Sequence, residues 1–141
     1  MPAFRRCCFA DNTHNSHYYD VMGMLAVYHG TYTRIDGSKL AGPSLAALVA
    51  ASDPVLDREM QARLGATQRA MAALKARAET VEAYDQMIGP DNPNGNAVVQ
   101  AAIDALTNQT RSIEGIVTAM ALQPIEVFGS ESLDDPAKVF Q

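Results

Sequence analysis

Hydrophobic and polar positions follow a helical period over most of this chain. In the first such stretch, apolar side chains recur at steps of three and four, the period that places them on one face of an α-helix. This pattern predicts a helix over residues 13–29, with Asn12 or Thr13 as its N-cap and Gly30 as its C-terminal stop. The helix has two candidate apolar lines, which are Tyr18, Met22, Leu25 and Tyr32, and Val21, Leu25 and Tyr28.

Two shorter elements are expected after the first helix. Residues 32–37 form a short extended piece that ends in the dipeptide Asp36-Gly37, a combination common in turns. Ser44 then caps a short helix over residues 45–51. Because this short helix is almost wholly apolar, we expect it to be buried or covered.

Two long helices with matching apolar seams are predicted next. One begins at Asp53 and Pro54, a cap residue followed by proline at the first helical position, and is expected to run to about Ile88. The other covers about residues 96–122. In both, the seam residues recur at alternating steps of four and three, which is a heptad repeat. The two seams are Met60, Leu64, Thr67, Met71, Leu74, Ala78 and Val81, and Val99, Ile103, Leu106, Thr110, Ile113, Val117 and Met120.

A short turn separates the two seams. Residues 89–96 are rich in glycine, proline and asparagine, which stop helices. Two such seams joined by a turn predict an antiparallel helical hairpin. Its expected register places Leu74 opposite Leu106 and Thr67 near Ile113.

The fold class that this pattern indicates is all-α, a helical bundle built on a long antiparallel helix hairpin. The chain has 141 residues, which fits one domain. Pro124 should end the last long helix. Beyond it we expect a short extended segment at residues 125–128 and a last turn that opens at Asp135 and Pro136.

Composition and charge exclude several classes of function. The net charge is −5, and the eleven Lys and Arg residues are scattered, so no nucleic-acid partner is expected. No apolar run approaches the length of a transmembrane segment, and the first residues lack the apolar core of a signal peptide. Cys7 and Cys8 are adjacent, and a bridge between neighbours is strained, so the sequence predicts no disulfide framework.

Polar side chains crowd around the start of the first helix. His14 and His17 lie three residues apart, as do His17 and Asp20, so each pair shares a helix face. Imidazole and carboxylate suit zinc and iron, so these three residues form a candidate metal site. The alternative, which the residues alone favour, is that they are solvated polar residues of the first turns. No catalytic set is predicted.

Several short pieces, taken in this order, resemble the imelysin-like family, in particular the branch that contains iron-regulated protein A. Together they cover the chain from Cys8 to its last residue. The pieces are CFADNTH (8–14), VYHGTY (27–32), DG (36–37), GPSL (42–45), AYDQMI (83–88), NGN (94–96), QTRSIE (109–114) and GSESLDDP (129–136).

The resemblance implies an all-α protein of the periplasm or cell envelope, linked to iron uptake and built from two related helical bundles. This chain is similar to the C-terminal half, with residues 8–141 as the helical domain and residues 1–7 as a non-matching, disordered start. The family's metal motif, Gly-Xaa-His-Xaa-Xaa-Glu, is absent here, because no histidine is followed three residues later by glutamate. Iron or zinc binding by this chain alone is therefore expected to be weak.

Three functional hypotheses follow. The first is a metal- or ligand-binding envelope protein whose site needs the N-terminal half and receives Asp11, Asn12, Thr13 and His14 from this chain. For these four residues the alternative is that they cap the helix and join the two bundles. The second hypothesis is a metallopeptidase, since some members are named for that activity, but the required ligands and general base are not evident. The third is a non-catalytic helical module or remnant.

The expected partner is the N-terminal imelysin-like half or a second copy of the chain. The short helix at residues 45–51 is too small to cover both apolar lines of the first helix. Exposed apolar patches usually mark partner surfaces. We therefore expect self-association with Tyr18 and Tyr28 at the interface.

Overall fold

Five helices and one short β-hairpin make up residues 11–122, the part of the chain that the structure, a computed structural model, describes. This confirms the all-α fold class. The predictions for residues 1–7, 125–128 and 135–136 lie outside the described residues. In chain order, the elements are α1 (Thr13–His29), β1 (Thr31–Thr33), β2 (Lys39–Ala41), α2 (Leu45–Ser52), α3 (Pro54–Thr80), α4 (Tyr84–Met87) and α5 (Pro93–Ala119).

Helix α1 has the predicted bounds, and its C-terminal stop is confirmed. Gly30 adopts the left-handed conformation, with φ of 62°. A Cβ at this position would lie 2.7 Å from the carbonyl oxygen of Pro43, so the chain needs glycine here both for its conformation and for its close packing. The carbonyl of Gly30 also accepts a hydrogen bond from the amide of Gly42, at 2.9 Å.

The turn at Asp36-Gly37 is confirmed, and it joins two strands where one extended piece was expected. Strands β1 and β2 pair antiparallel, with Tyr32 opposite Leu40. The amide of Ser38 donates to Asp36 Oδ1 at 2.9 Å. The hydrogen bonds from Ser38 lower the pKa of Asp36, because they stabilise the carboxylate form.

The predicted starts of α2 and α3 are confirmed by their caps. Ser44 Oγ accepts from the amide of Ala47 at 3.0 Å. Asp53 Oδ1 accepts from the amides of Val55 at 2.8 Å and Leu56 at 3.2 Å. These side chains satisfy amides that a helix start leaves unpaired.

The expectation that α2 is buried is wrong for most of its side chains. Val49 is buried against Tyr28, Met60 and Leu64, whereas Leu45 and Leu48 are exposed. The reason is that α2 packs on α1 and α3 along one side only.

The predicted end of α3 near Ile88 is also wrong, because α3 ends at Thr80 and the separate α4 follows. Glu82 accepts hydrogen bonds from Arg77 Nε and Asn92 Nδ2, both at 2.6 Å. The amide of Ala83 donates to the side chain of Gln86 at 3.1 Å. Such side-chain bonds offer the backbone an alternative to continuing the helix.

Helix α5 begins three residues earlier than expected because Asn92 caps it. Asn92 Oδ1 accepts from the amide of Gly95 at 2.8 Å, and Pro93 occupies the first turn. Proline is well tolerated there, since that amide has no partner inside the helix.

Helices α3 and α5 form the predicted antiparallel hairpin, but in a different register. The Thr67 hydroxyl donates to the carbonyl oxygen of Ala105 at 3.2 Å, and the Ser112 hydroxyl donates to Glu59 Oε1 at 3.3 Å. The expected neighbour of Thr67, Ile113, is exposed. The early end of α3 and early start of α5 move the centre of the hairpin and therefore shift the pairing.

The predicted heptad seam is buried along most of α3, whereas in α5 the buried positions depart from it. From Met60 to Leu74 the seam of α3 is buried, although Val81 at its end is exposed. In α5, by contrast, Thr110 is exposed and its neighbour Gln109 is buried. A straight helix drifts by about 20° per heptad relative to a 3.5-residue repeat, which moves successive positions off the seam. The buried positions of α5 are Gly95, Val99, Ala102, Gln109 and Ser112.

The core consists of two clusters that α1 spans. Val21 packs into the first and Tyr28 into the second, so the line Val21, Leu25 and Tyr28 faces α3. No helix among those described is both long and apolar enough to cross a membrane. The buried members of the first cluster are Val21, Met71, Leu74, Met87, Val99 and Ala102, and those of the second are Tyr28, Val49, Met60 and Leu64.

Candidate functional site

The start of α1 lies beside the end of α3, where polar side chains gather. We call Asn12, His14, Asn15, Lys75 and Glu79 the His14 cluster. Lys75 Nζ donates to Glu79 Oε1, an i,i+4 pair on α3. This hydrogen bond lowers the pKa of Glu79, and His14 and Asn15 act in the same direction. The cluster therefore joins the first turn of α1 to the last turns of α3.

His14 is the buried member of this cluster. Its side chain is only 8% exposed, although it stands in the first turn of α1. Asn15 Nδ2 donates to Asn12 Oδ1 at 2.7 Å and lies 3.1 Å from His14 Nε2. The other ring nitrogen, Nδ1, is buried and has no hydrogen-bond partner among the residues that the structure describes.

The predicted metal set is not brought together. His14 is buried, whereas His17 and Asp20 are exposed. The ring of His17 instead lies against Tyr84, with 5.8 Å between the ring centroids. Within residues 11–122, no group of three or more His, Cys, Asp or Glu side chains could hold a metal ion. Metal binding by His14, His17 and Asp20 together with ligands from elsewhere stays a prediction.

The other predicted ligand-binding residues lie at the surface of the helix start. Asp11 is exposed and has a positive φ of 43°. Asn12 occupies the N-cap position, but its side chain does not cap an amide, so the expected capping is wrong for this residue. Its carbonyl oxygen accepts from the amides of Asn15 and Ser16, both at 3.2 Å. Ligand contact by Asp11, Asn12, Thr13 and His14 stays a prediction.

A second buried polar network, at the other end of α1, was not predicted. The Tyr28 hydroxyl donates to Asp57 Oδ1 at 2.9 Å, and Gln61 Nε2 donates to Asp57 Oδ2 at 2.7 Å. Asp57 is only 7% exposed. Burial and the Asp57 carboxylate both raise the pKa of Tyr28. The sequence offered one signal, the four-residue spacing of Asp57 and Gln61.

Glutamine side chains meet methionine sulfurs between these two ends. Gln68 Nε2 lies 3.5 Å from Met22 Sδ, and Gln109 Nε2 lies 3.6 Å from Met24 Sδ. Methionine sulfur is a weak acceptor. Gln109 Oε1 is buried without a hydrogen-bond partner in the described part of the chain. These contacts hold the middle of α1 against α3 and α5.

The exposed face of α1 borders an apolar groove of about 530 Å³, which we call the α1 groove. Val27 is 68% exposed beside it, and Tyr32 and Leu40 are exposed as well. The predicted interface residue Tyr28 is instead buried in the core, and Tyr18 is half-buried. The groove is lined by Gly23, Ala26, Val27, Gly30, Thr31, Tyr32, Leu40, Ala41 and Gly42.

Comparison with known protein families gives a match over most of the chain. The model of the family described as Imelysin matches residues 2–113. The match begins before Cys8, where the resemblance of short motifs began. No curated protein matches the chain.

Proposed function

Because this chain belongs to the imelysin family, we propose that it binds a metal ion or small ligand in the cell envelope, in a role linked to iron uptake. Asp11, Asn12, Thr13 and His14 are the residues proposed to contact the ligand. A second helical bundle, either an N-terminal imelysin-like half or another copy of this chain, completes the site.

The observation that carries this proposal is the unpaired ring nitrogen of His14. Buried polar atoms in proteins are paired in the great majority of cases, and an exception calls for an explanation. His14 Nδ1 is such an exception among residues 11–122. A ligand that bonds to this nitrogen would remove the cost of its burial.

The α1 groove supports the proposal that a second bundle binds to this chain. It exposes Val27, Tyr32 and Leu40 side by side, and contiguous apolar surface of this kind usually marks a partner site. The same observation favours the alternative function, a non-catalytic helical interaction module. Metallopeptidase activity is a further alternative, because some family members are named for it. It would need metal ligands that the second bundle supplies.

Metal titration tests the binding function. Isothermal calorimetry with Fe²⁺ and Zn²⁺ would compare this chain alone with the chain joined to a bundle that carries the Gly-Xaa-His-Xaa-Xaa-Glu motif. We expect tight binding only in the joined protein, reduced by His14→Ala and unchanged by the control His29→Ala, since His29 lies at the other end of α1. Equal binding in the joined protein with and without His14→Ala would contradict the assignment of the site.

Sedimentation velocity tests the partner surface. The chain alone should associate at micromolar concentration, and Val27→Asp should abolish association by placing a charge in the α1 groove. The matched control is Val55→Asp, since Val55 is exposed on α3 outside the groove lining. A chain that stays monomeric and binds no hydrophobic dye would contradict the second-bundle proposal.

A further inference from the structure

Two methionines of α1 contact glutamine side chains of neighbouring helices, and the two contacts differ in burial. Met24 Sδ lies 3.6 Å from Gln109 Nε2 on α5, and Met22 Sδ lies 3.5 Å from Gln68 Nε2 on α3. Gln109 is only 3% exposed, whereas Gln68 is half-buried. The contact at Met24 therefore places a nearly solvent-free amide against a sulfur atom.

The hydrogen bonds of the Gln109 amide are poorly satisfied in this arrangement. The NH2 end of the amide faces the thioether, which is only a weak acceptor. The other end, Oε1, is buried without a partner among residues 11–122. A buried polar group without strong hydrogen bonds is costly to the folded state. The Gln109 amide would therefore gain from an acceptor that is stronger than the reduced sulfur.

Met24 is the most exposed methionine in the part of the chain that the structure describes. Its exposed fraction is 38%. An oxidant dissolved in water therefore reaches this side chain more readily than the others. Of the other methionines among residues 11–122, Met60, Met71 and Met87 are buried, and Met22 and Met120 are half-buried.

Oxidation of Met24 would give the Gln109 amide a strong acceptor. A lone pair of the sulfur attacks one oxygen of hydrogen peroxide, the O–O bond breaks, and the other oxygen leaves as water after taking the proton of the transferred one. The sulfur is oxidised and the peroxide is reduced. The product, methionine sulfoxide, is polar. Because methionine has three rotatable bonds, the side chain can place the sulfoxide oxygen within hydrogen-bond distance of the Gln109 amide.

We propose that Met24 is an oxidation site for peroxides, and that the buried Gln109 amide donates a hydrogen bond to the resulting sulfoxide. Methionine sulfoxides usually disrupt a core, because they place a polar group among apolar ones. Here the surroundings already contain the donor, so the folded chain keeps its stability after oxidation. The inference goes beyond the proposed function, since Met24 and Gln109 belong neither to the His14 cluster nor to the lining of the α1 groove.

The order of oxidation tests the site. The folded full chain is treated with hydrogen peroxide, and each methionine is followed by peptide mapping with mass spectrometry. Met24 should react about tenfold faster than the buried Met71, and the two rates should converge in urea, where both sulfurs are exposed. Equal rates in the folded chain would overturn the proposal.

The melting temperature after oxidation tests the role of Gln109. The peroxide dose is set so that peptide mapping finds Met24 alone oxidised. The melting temperature should then stay within about 1 °C in the wild type and fall by about 3 °C or more in Gln109→Leu. The matched control Gln68→Leu removes the other contact between an amide and a sulfur, and it should respond as the wild type does. An equal loss in the wild type and in Gln109→Leu would overturn the role of the amide.

Nuclear magnetic resonance detects the proposed hydrogen bond independently of stability. The side-chain amide resonances of Gln109 are assigned by their absence from the ¹H–¹⁵N spectrum of Gln109→Leu. They should move downfield when Met24 is oxidised, because the sulfoxide oxygen accepts more strongly than the thioether does. The side-chain resonances of Gln68 serve as the control and should not move. Unchanged Gln109 resonances would overturn the proposal even where Met24 is the first methionine to react.

Discussion

Helix α1 buries a polar side chain at each end, and the two side chains differ in how fully their hydrogen bonds are satisfied. At the C-terminal end, Tyr28 donates to Asp57, whose second oxygen accepts from Gln61. At the N-terminal end, His14 pairs through Nε2 and leaves Nδ1 without a partner in the described residues. A satisfied network fixes a core, whereas a buried group that lacks its partner is costly unless something else supplies it. The Tyr28 end therefore contributes to stability, and the His14 end is the place where we propose binding.

The largest expected effect tests whether the two ends are packed equally well. Leu74 belongs to the core cluster that also contains Val21 and Met87, and Leu64 belongs to the cluster around Tyr28. Leu74→Ala and Leu64→Ala should each lower the free energy of unfolding by about 2–5 kcal/mol. Urea denaturation followed by circular dichroism measures both. A loss under about 1 kcal/mol at Leu74 alone would show that the His14 end is loosely packed.

Removal of the shared acceptor at the Tyr28 end should have the next largest effect. Asp57→Ala leaves the Tyr28 hydroxyl and the Gln61 amide without their acceptor and should destabilise the protein by about 1–3 kcal/mol. A double-mutant cycle with Tyr28→Phe, read by urea denaturation, isolates the coupling of the pair. Simple additivity of the two substitutions would mean that the hydrogen bond contributes nothing to stability.

Alkaline pH should weaken the Tyr28 end selectively. The pKa of Tyr28 is raised above its ordinary value of 10.0 by burial and by Asp57, so the folded state holds the phenol proton more tightly than the unfolded state does. The stabilisation is complete below pH 10 and is lost as the pH rises above this value, because the unfolded chain then loses the proton first. Thermal unfolding between pH 8 and about 11 should show a steeper fall for the wild type than for Tyr28→Phe. Parallel curves would contradict the assignment.

The smallest expected effect is at the His14 end. His14→Phe replaces a ring whose buried Nδ1 has no partner among the described residues by an apolar ring of similar shape, so the free energy of unfolding should change by less than about 1 kcal/mol. Differential scanning calorimetry of His14→Phe beside Tyr28→Phe sharpens the contrast between the two ends. A large loss of stability at His14 would indicate that the ring is a structural residue, as Tyr28 is.

The bounds of a helix could be predicted from the sequence where residues within one short stretch determine them. Ser44, Asp53 and Gly30 each act within about one helical turn, and the element bounds near them are confirmed. The end of α3 could not be predicted from nearby residues, because Glu82 accepts a hydrogen bond from Asn92, ten residues further on. The register of α3 and α5 then followed from that missed end.

The candidate site shows the same division between near and distant causes. The crowding of polar residues at Asn12 and His14 was visible in the sequence. The burial of His14 was not, because it depends on the packing of α1 against α3, which lies far along the chain. Tyr28 and Asp57 are 29 positions apart, so their hydrogen bond produces no periodic pattern in the sequence.

The hydrogen bond between Gly42 and Gly30 gives the β-hairpin a closed base, since the chain leaves and re-enters the bundle at almost the same point. Loops whose ends meet in this way tolerate insertions at their tips. The tip around Ile35 is fully exposed, while the base forms one wall of the α1 groove. The hairpin is therefore a natural attachment point for a fluorophore, which could report from Ile35 on whatever occupies the groove without altering the groove itself.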